Sequence, residues 1–217
     1  MRDNPEATQP EITVLIIAHN EEKSIRACLR AIDEQDYPME RVEVVLVDDR
    51  STDRTIERAE QLGLDYLRMV SQEEPRGNLT TRQSALDLGF SVARGEIVLL
   101  ANVNGGVPHD WIRELTGHLS YRDGAVAGPV IFAGRRRFIA GLRSVDSLWQ
   151  YTLFRWGHRN GWSTGLFCGN LAVWREAWVR IGGFSSSGFF LNEDVALAQA
   201  LTRVGYSLRY LTVPVVQ

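Results

Sequence analysis

At 217 residues, with 44% hydrophobic and 24% charged residues, the chain has the make-up of a globular protein and enough length for one α/β domain with a sizeable core. A net charge of −3 gives no global attraction to nucleic acid or anionic lipid. Cys28 and Cys168 show neither metal spacing nor a disulfide framework, and the polar, acidic MRDNPEATQP start is no signal peptide, so a reducing, cytoplasmic setting without a nucleic-acid partner is expected.

Residues 1–10 read as a disordered lead-in, and 11–217 as one domain with halves dividing near residue 107. Residues 12–18 form a buried strand too short to span a membrane, followed by His19-Asn20-Glu21-Glu22. A helix over 22–35 carries Ile25, Cys28, Leu29 and Ile32 at helical spacing and ends at Asp36-Tyr37-Pro38. A strand over 42–47, a helix over 53–62 stopped by Gly63, and a short strand over 65–70 come next. After a polar loop at 71–78, a helix over 79–93 leads to the strand 97–101, which ends at Asn102-Val103-Asn104-Gly105-Gly106. Strands alternating with helices in this way predict a doubly wound, mostly parallel sheet, because parallel neighbours need helical crossovers.

The second half is less regular. A helix is expected over 108–118, a strand over 126–132, a basic turn at Arg135-Arg136-Arg137, and an amphipathic, aromatic-rich helix over 138–156. A loop entering a strand over 165–174, a short helix over 174–181, a flexible Ser/Gly/Phe loop over 185–192, a helix over 193–205 and an edge strand over 207–216 complete the chain. The 138–156 segment fits an interfacial helix in peripheral contact with a membrane, at its inner face in a cytoplasmic protein, and equally a sheet-covering helix or an oligomer contact.

The most informative stretch is VEVVLVDDRSTDRT at 42–55. Its apolar run without alternation suits a strand buried on both faces, and Asp48 and Asp49 stand at the carboxyl end, where open α/β sheets bind ligands. Acids there can accept hydrogen bonds from a base or ribose or hold a cation; they can also simply cap a turn.

In order, these motifs resemble those of the family-2 glycosyltransferases over about residues 11–213. Ala18-His19-Asn20-Glu21-Glu22 is similar to the family's first turn, and Val47-Asp48-Asp49-Arg50-Ser51-Thr52-Asp53 to its Val-Asp-Asp-Gly-Ser-x-Asp segment. Arg82-Gln83-Ser84-Ala85-Leu86-Asp87-Leu88-Gly89 resembles a further helix of the family, and Gly169-Asn170-Leu171-Ala172 the segment lining the sugar pocket. Gly182-Gly183-Phe184 and Glu193-Asp194 match the family's Gly-Gly-Phe and Glu-Asp pair. The resemblance implies a GT-A fold and inverting transfer of a sugar from a nucleotide-diphosphate donor, with a UDP-sugar the first choice, to a hydroxyl acceptor, as in cell-wall or polysaccharide synthesis. It implies donor contacts at Ala18, His19, Asn20, Glu22, Asp48, Asp49, Arg82, Asn102 and Asn104, an acceptor or sugar pocket at Gly169 and Asn170, and Asp194 as base with Glu193 beside it.

The departure lies at Asn102-Val103-Asn104, where the family has Asp-x-Asp. The family uses a divalent cation, Mg2+ or Mn2+, bridging the donor diphosphate, and Asn104 stands where its acidic ligand would be. A neutral amide oxygen holds a hard cation far less tightly than a carboxylate. Three readings stay open: weak metal binding, metal-independent transfer with arginines such as Arg82, Arg135, Arg136 or Arg137 on the diphosphate, or an impaired relative that binds without transfer. A nucleotidyltransferase ranks lower, because no Gly-rich, Lys-containing phosphate loop follows the first strand.

Overall fold

A computed structural model describes residues 12–75, 77–133, 137–162, 165–187, 192–212 and 214–216. The expected lead-in and Arg135 and Arg136 lie outside these residues. The parallel core is built from β1 (Ile12–Ala18), β2 (Val42–Asp48), β3 (Leu67–Ser71) and β4 (Ile97–Asn102). Helices α1 (Ile25–Asp33), α2 (Thr55–Glu60) and α3 (Thr81–Val92) make the crossovers. β1 and β4 are aliphatic almost throughout and buried on both faces, as a sheet covered by helices requires.

After β4 follow α4 (Trp111–Gly117), β5 (Asp123–Ala127), β6 (Val130–Ile131) and the long α5 (Arg137–Arg159). Then come β7 (Asn170–Trp174), α6 (Arg175–Ile181), α7 (Gly183–Ser187), α8 (Glu193–Arg203), β8 (Ser207–Tyr210) and β9 (Val215–Val216). The main sheet runs β3-β2-β1-β4-β7-β5-β8, and β6 pairs with β9 in a separate two-stranded sheet. Only β7 opposes its neighbours, so the sheet is mostly parallel, as the sequence predicts.

Register brings the carboxyl ends level: Ala18 lies opposite Asp48, Ile17 opposite Asn102, and Asn170 at the start of β7 opposite Ala101. One face of the sheet packs on Ile25, Leu29 and Ile32 of α1 and Trp111, Ile112 and Leu115 of α4. The other packs on Leu86 and Phe90 of α3, Trp178 of α6 and Leu197 and Leu201 of α8. Gly95, in the turn before β4, is required where it stands. A Cβ there would lie 2.5 Å from the Thr13 backbone nitrogen of β1.

Three expectations need correction. Residues 185–187 belong to a helical turn, α7, instead of a loop, because the Asp87 carboxylate accepts from the Phe184 and Ser185 N–H groups at 2.9 and 3.0 Å and fixes its first turn. Residues 188–191 of that expected loop lie outside the described set. The single strand expected at 126–132 is two, because Gly128-Pro129 interrupts the ladder and proline has no N–H to donate. The expected terminal strand is likewise split into β8 and β9, and only β8 is an edge of the main sheet.

Candidate functional site

Two groups of residues meet at the carboxyl edge of the sheet. The first joins the loops after β1 and β2. Asn20 adopts left-handed backbone (φ 56°), a conformation asparagine tolerates better than most residues. Its Oδ1 accepts from the Thr52 and Asp53 N–H groups at 2.8 and 3.3 Å, and its own N–H donates to Ser51 Oγ at 3.0 Å. Asp53 accepts from the Glu22 N–H at 3.1 Å, and Thr55 Oγ1 from the Glu21 N–H at 2.7 Å. Side chains therefore clasp the two loops together.

His19 lies on this clasp. Its Nδ1 is 2.5 Å from the Asp49 carbonyl oxygen, which can only accept, so Nδ1 carries the proton; Asn20 Nδ2 then donates to Nε2 at 3.2 Å. Asp48 is buried and turned inward, accepting from the Ser51 N–H at 3.1 Å. Asp49 reaches the other way, accepting from Gln72 Nε2 and Arg50 Nε, each at 3.2 Å. Ala18 is buried, and its carbonyl receives the Asp49 N–H at 2.8 Å.

The second group surrounds a cavity of about 410 Å³, within the range that takes small-molecule ligands. The capping box of Thr80 and Gln83 starts α3 and aims Arg82 into this space. Arg82 Nη2 donates to Asn102 Oδ1 at 3.2 Å, and Arg82 Nε pairs with Glu193 Oε1 at 2.8 Å. Asn192 caps α8 through the Asp194 and Val195 N–H groups, which sets both acids in its first turn. Asp194 Oδ1 accepts from the Cys168 N–H at 2.7 Å.

Burial pushes the Asp194 carboxyl above the usual carboxylate range. The Cys168 hydrogen bonds oppose that rise, nearby Glu193 adds to it, and Arg82 draws it down again. A partly buried acid of raised basicity, facing a cavity beside a cation, has the properties of a general base.

Arg82, Asn102, Gly169, Glu193 and Asp194 thus line one cavity, as a shared site requires. Asn104 and Asn170 do not. Asn104 turns away to the loop after β1, accepting from Ser24 Oγ at 2.6 Å and donating to Glu21 Oε1 at 2.8 Å. Asn170 is fully buried, with its Oδ1 receiving the Trp111 indole N–H at 2.9 Å and its Nδ2 donating to the Pro129 carbonyl at 3.0 Å. Its side chain ties α4 and the loop after β5 to β7.

Sequence reasoning missed a whole wall of the cavity. Arg143, Asp146, Ser147 and Gln150 of α5 line it, and Gln150 Nε2 bonds Asp146 Oδ2 at 2.9 Å. The spacing of Asp146 and Gln150, one helical turn apart, was the available signal. Gln72 was also missed: from the expected polar loop it bonds both Asp49 and the Thr81 carbonyl, joining the two groups of residues. Gly182-Gly183-Phe184 is structural here. Gly183 holds φ 63°, and a Cβ on it would sit 2.7 Å from Asp87 Oδ1.

The family model "Glycosyl transferase family 2" matches residues 13–180, well over half of the chain. The chain belongs to that family. A Bacillus subtilis (strain 168) protein named "Probable glycosyltransferase YdaM" is 28% identical over 211 residues, covering 93% of this chain and 49% of the relative. The mannosyltransferase PcManGT from Pyrobaculum calidifontis, solved in complex with GDP-Man and Mn2+, is 28% identical. It superposes with a TM-score of 0.70 over 97% of this chain and 57% of its own. S. aureus TarS 1-349 in complex with UDP-GlcNAc shares the fold at 18% identity, with a TM-score of 0.66 over 95% of this chain and 58% of its own. This family-2 glycosyltransferase chain spans about half of YdaM and a smaller share of the next curated relatives. Among the described residues no helix is long and apolar enough to cross a membrane.

Proposed function

We propose that this family-2 glycosyltransferase domain moves a sugar from a nucleotide-diphosphate donor, UDP-linked in the first instance, to a glycan, lipid or other hydroxyl, inverting the anomeric carbon. The observation that carries this reading is the meeting of Asp194, Glu193, Arg82 and Asn102 around one cavity. Asp194 takes the proton of the acceptor hydroxyl as that oxygen attacks the anomeric carbon. The bond from that carbon to the diphosphate breaks, and the leaving nucleotide keeps the electron pair. Glu193, paired with Arg82, orients the cation at the cavity. The clasped loops carrying His19, Asn20, Glu22, Asp48 and Asp49 hold the nucleoside end of the donor.

The residues do not fit the divalent cation of the family. Asn102 Oδ1 is occupied by a guanidinium and Asn104 Oδ1 by a hydroxyl. No group of three or more His, Cys, Asp or Glu able to hold a metal occurs among the described residues. Arg82 and Arg143 both line the cavity and supply fixed positive charge for a leaving diphosphate. The reaction is therefore assigned to these side chains.

Calorimetric titration of UDP and GDP, each with and without manganese, tests the reading. UDP binding insensitive to manganese, and weakened about tenfold or more (about 1.4 kcal/mol) in Arg82→Met, is expected. Binding of neither nucleotide would remove the donor assignment. Strong tightening by manganese would restore the cation, and a clear preference for GDP would change the donor class. Failure of a bound UDP-sugar to turn over would favour the binding-only reading that the two asparagines suggest.

A further inference from the structure

Of the large hydrophobic side chains exposed among the described residues, all but Tyr121 and Val179 belong to α5 or to Trp162 just after it. Scattered exposed apolar residues are ordinary, but a single contiguous stripe is not. Phe138, Leu142, Val145, Trp149, Leu153 and Trp156 follow one another at steps of four, three, four, four and three, which aligns them along one line of the helix. Phe138 is 78%, Val145 66% and Trp149 62% exposed.

The opposite side of α5 is fixed to the protein. Ser144 bonds the Phe132 backbone, Ser147 Oγ donates to the Val130 carbonyl at 2.8 Å, and Tyr151 OH reaches the Ala127 carbonyl at 3.1 Å. These residues lie half a turn from the stripe, so the helix presents its apolar line straight outward.

We infer that this face of α5 is a docking surface for an anionic lipid bilayer, on which the helix lies flat. Charge decides the occupant. α5 carries four arginines and one aspartate in a chain whose net charge is −3, so positive charge is gathered on this helix. Arg155 and Arg159 are exposed along one flank of the stripe and Arg143 along the other. Arginines flanking an apolar line with tryptophans at headgroup depth is the pattern of an interfacial helix, and at 23 residues α5 extends about 34 Å. A second copy of this chain would bring the same arginines face to face.

The geometry also ties the surface to the cavity. Arg143, Asp146 and Gln150 line that cavity from the Arg143 flank, so a docked helix sets the cavity mouth beside the bilayer. A hydroxyl carried by a lipid would reach the cavity from that side. This last consequence rests on the proposed transfer, whereas the docking itself does not.

Vesicle flotation in the longest available form of the protein tests the inference, with phosphatidylcholine vesicles compared with phosphatidylcholine–phosphatidylglycerol vesicles. Flotation with the anionic vesicles, a blue shift of tryptophan emission, and release by salt are expected. The Leu142→Glu/Val145→Glu/Trp149→Glu variant, changed only at exposed positions, should lose at least tenfold in partitioning while its circular dichroism and UDP affinity stay unchanged. Equal flotation with both vesicle types, no flotation with either, or a wild-type dimer that the glutamates split into monomers would each overturn it. UDP binding measured on the same samples separates failure here from failure of the donor assignment.

Discussion

Changing Asp194 to Asn is the sharpest separation of chemistry from architecture in this site. Asparagine keeps an oxygen where Asp194 Oδ1 accepts the Cys168 N–H at 2.7 Å, so the anchor to the loop before β7 survives. What it loses is the ability to take a proton. A positioned base contributes about 10²–10⁴ in rate, which is about 2.7–5.5 kcal/mol of barrier. The stability effect should run the other way. Because burial holds the Asp194 carboxyl above its usual range, the charged form is disfavoured in the folded protein, and its destabilising effect grows as pH rises through that elevated value. A neutral amide removes that effect, so the variant should melt at or above the wild-type temperature at pH 7. Asp194→Ala is the contrast: it leaves the Cys168 N–H without its acceptor and should cost about 1–3 kcal/mol. The assays are nucleotide release with a UDP-sugar donor, UDP calorimetry and thermal melting. Full turnover in Asp194→Asn would refute the base assignment, and a tenfold loss of UDP affinity would put Asp194 in nucleotide binding instead.

Two further outcomes follow from buried polar groups. Asn170→Ala strands the Trp111 indole N–H, whereas the Pro129 carbonyl keeps its bond from the Val215 N–H, so the change should destabilise by about 1–3 kcal/mol in urea unfolding. A stable Asn170→Ala protein with weakened sugar binding would return that residue to the pocket. At Asp123, burial pushes the carboxyl up, but hydrogen bonds from Ser207, Ser120 and Arg209 outweigh it and hold it below the usual range. Its contribution is therefore present above the unfolded value of about 3.9 and is lost as pH falls through the lower folded value. The stability gap between wild type and Asp123→Asn should be full at pH 7 and narrow on acidification below about pH 4. A gap independent of pH would refute it.

The parallel half of the sheet was legible because β1, β2 and β4 are nearly continuous aliphatic runs, and Asp48 and Asp49 stand at the carboxyl end of β2, where open α/β sheets bind ligands. Arg82, Asn102, Glu193 and Asp194 were legible only as pieces of an ordered set of motifs; nothing in their spacing says that they meet. What was not legible depends on distant partners. α7 forms because a carboxylate from α3 caps it, and the local Ser/Gly sequence reads as a loop. Asn170 sits in a motif that resembles a sugar pocket, yet its side chain is consumed by Trp111 and Pro129, which are far away in sequence. The wall supplied by α5 escaped notice because its outward stripe dominates the pattern of the helix, hiding the polar residues that face the cavity.

The position of β7 bears on how such a chain comes to be folded at all. It is the last strand but two, yet it lies beside β4 and closes the centre of the sheet, with Leu99 opposite Ala172 and Leu100 opposite Leu171. As the chain leaves the ribosome, β1 to β4 and their crossovers emerge first, and the far edge of β4 stays open until about seventy more residues have been made. That edge is apolar along its length, a template for pairing with any other strand nearby. Pairing over so long a separation is slow to form. The first half is therefore dependent on the second for protection as well as for chemistry, and a fragment ending near residue 107 should aggregate where the whole chain folds.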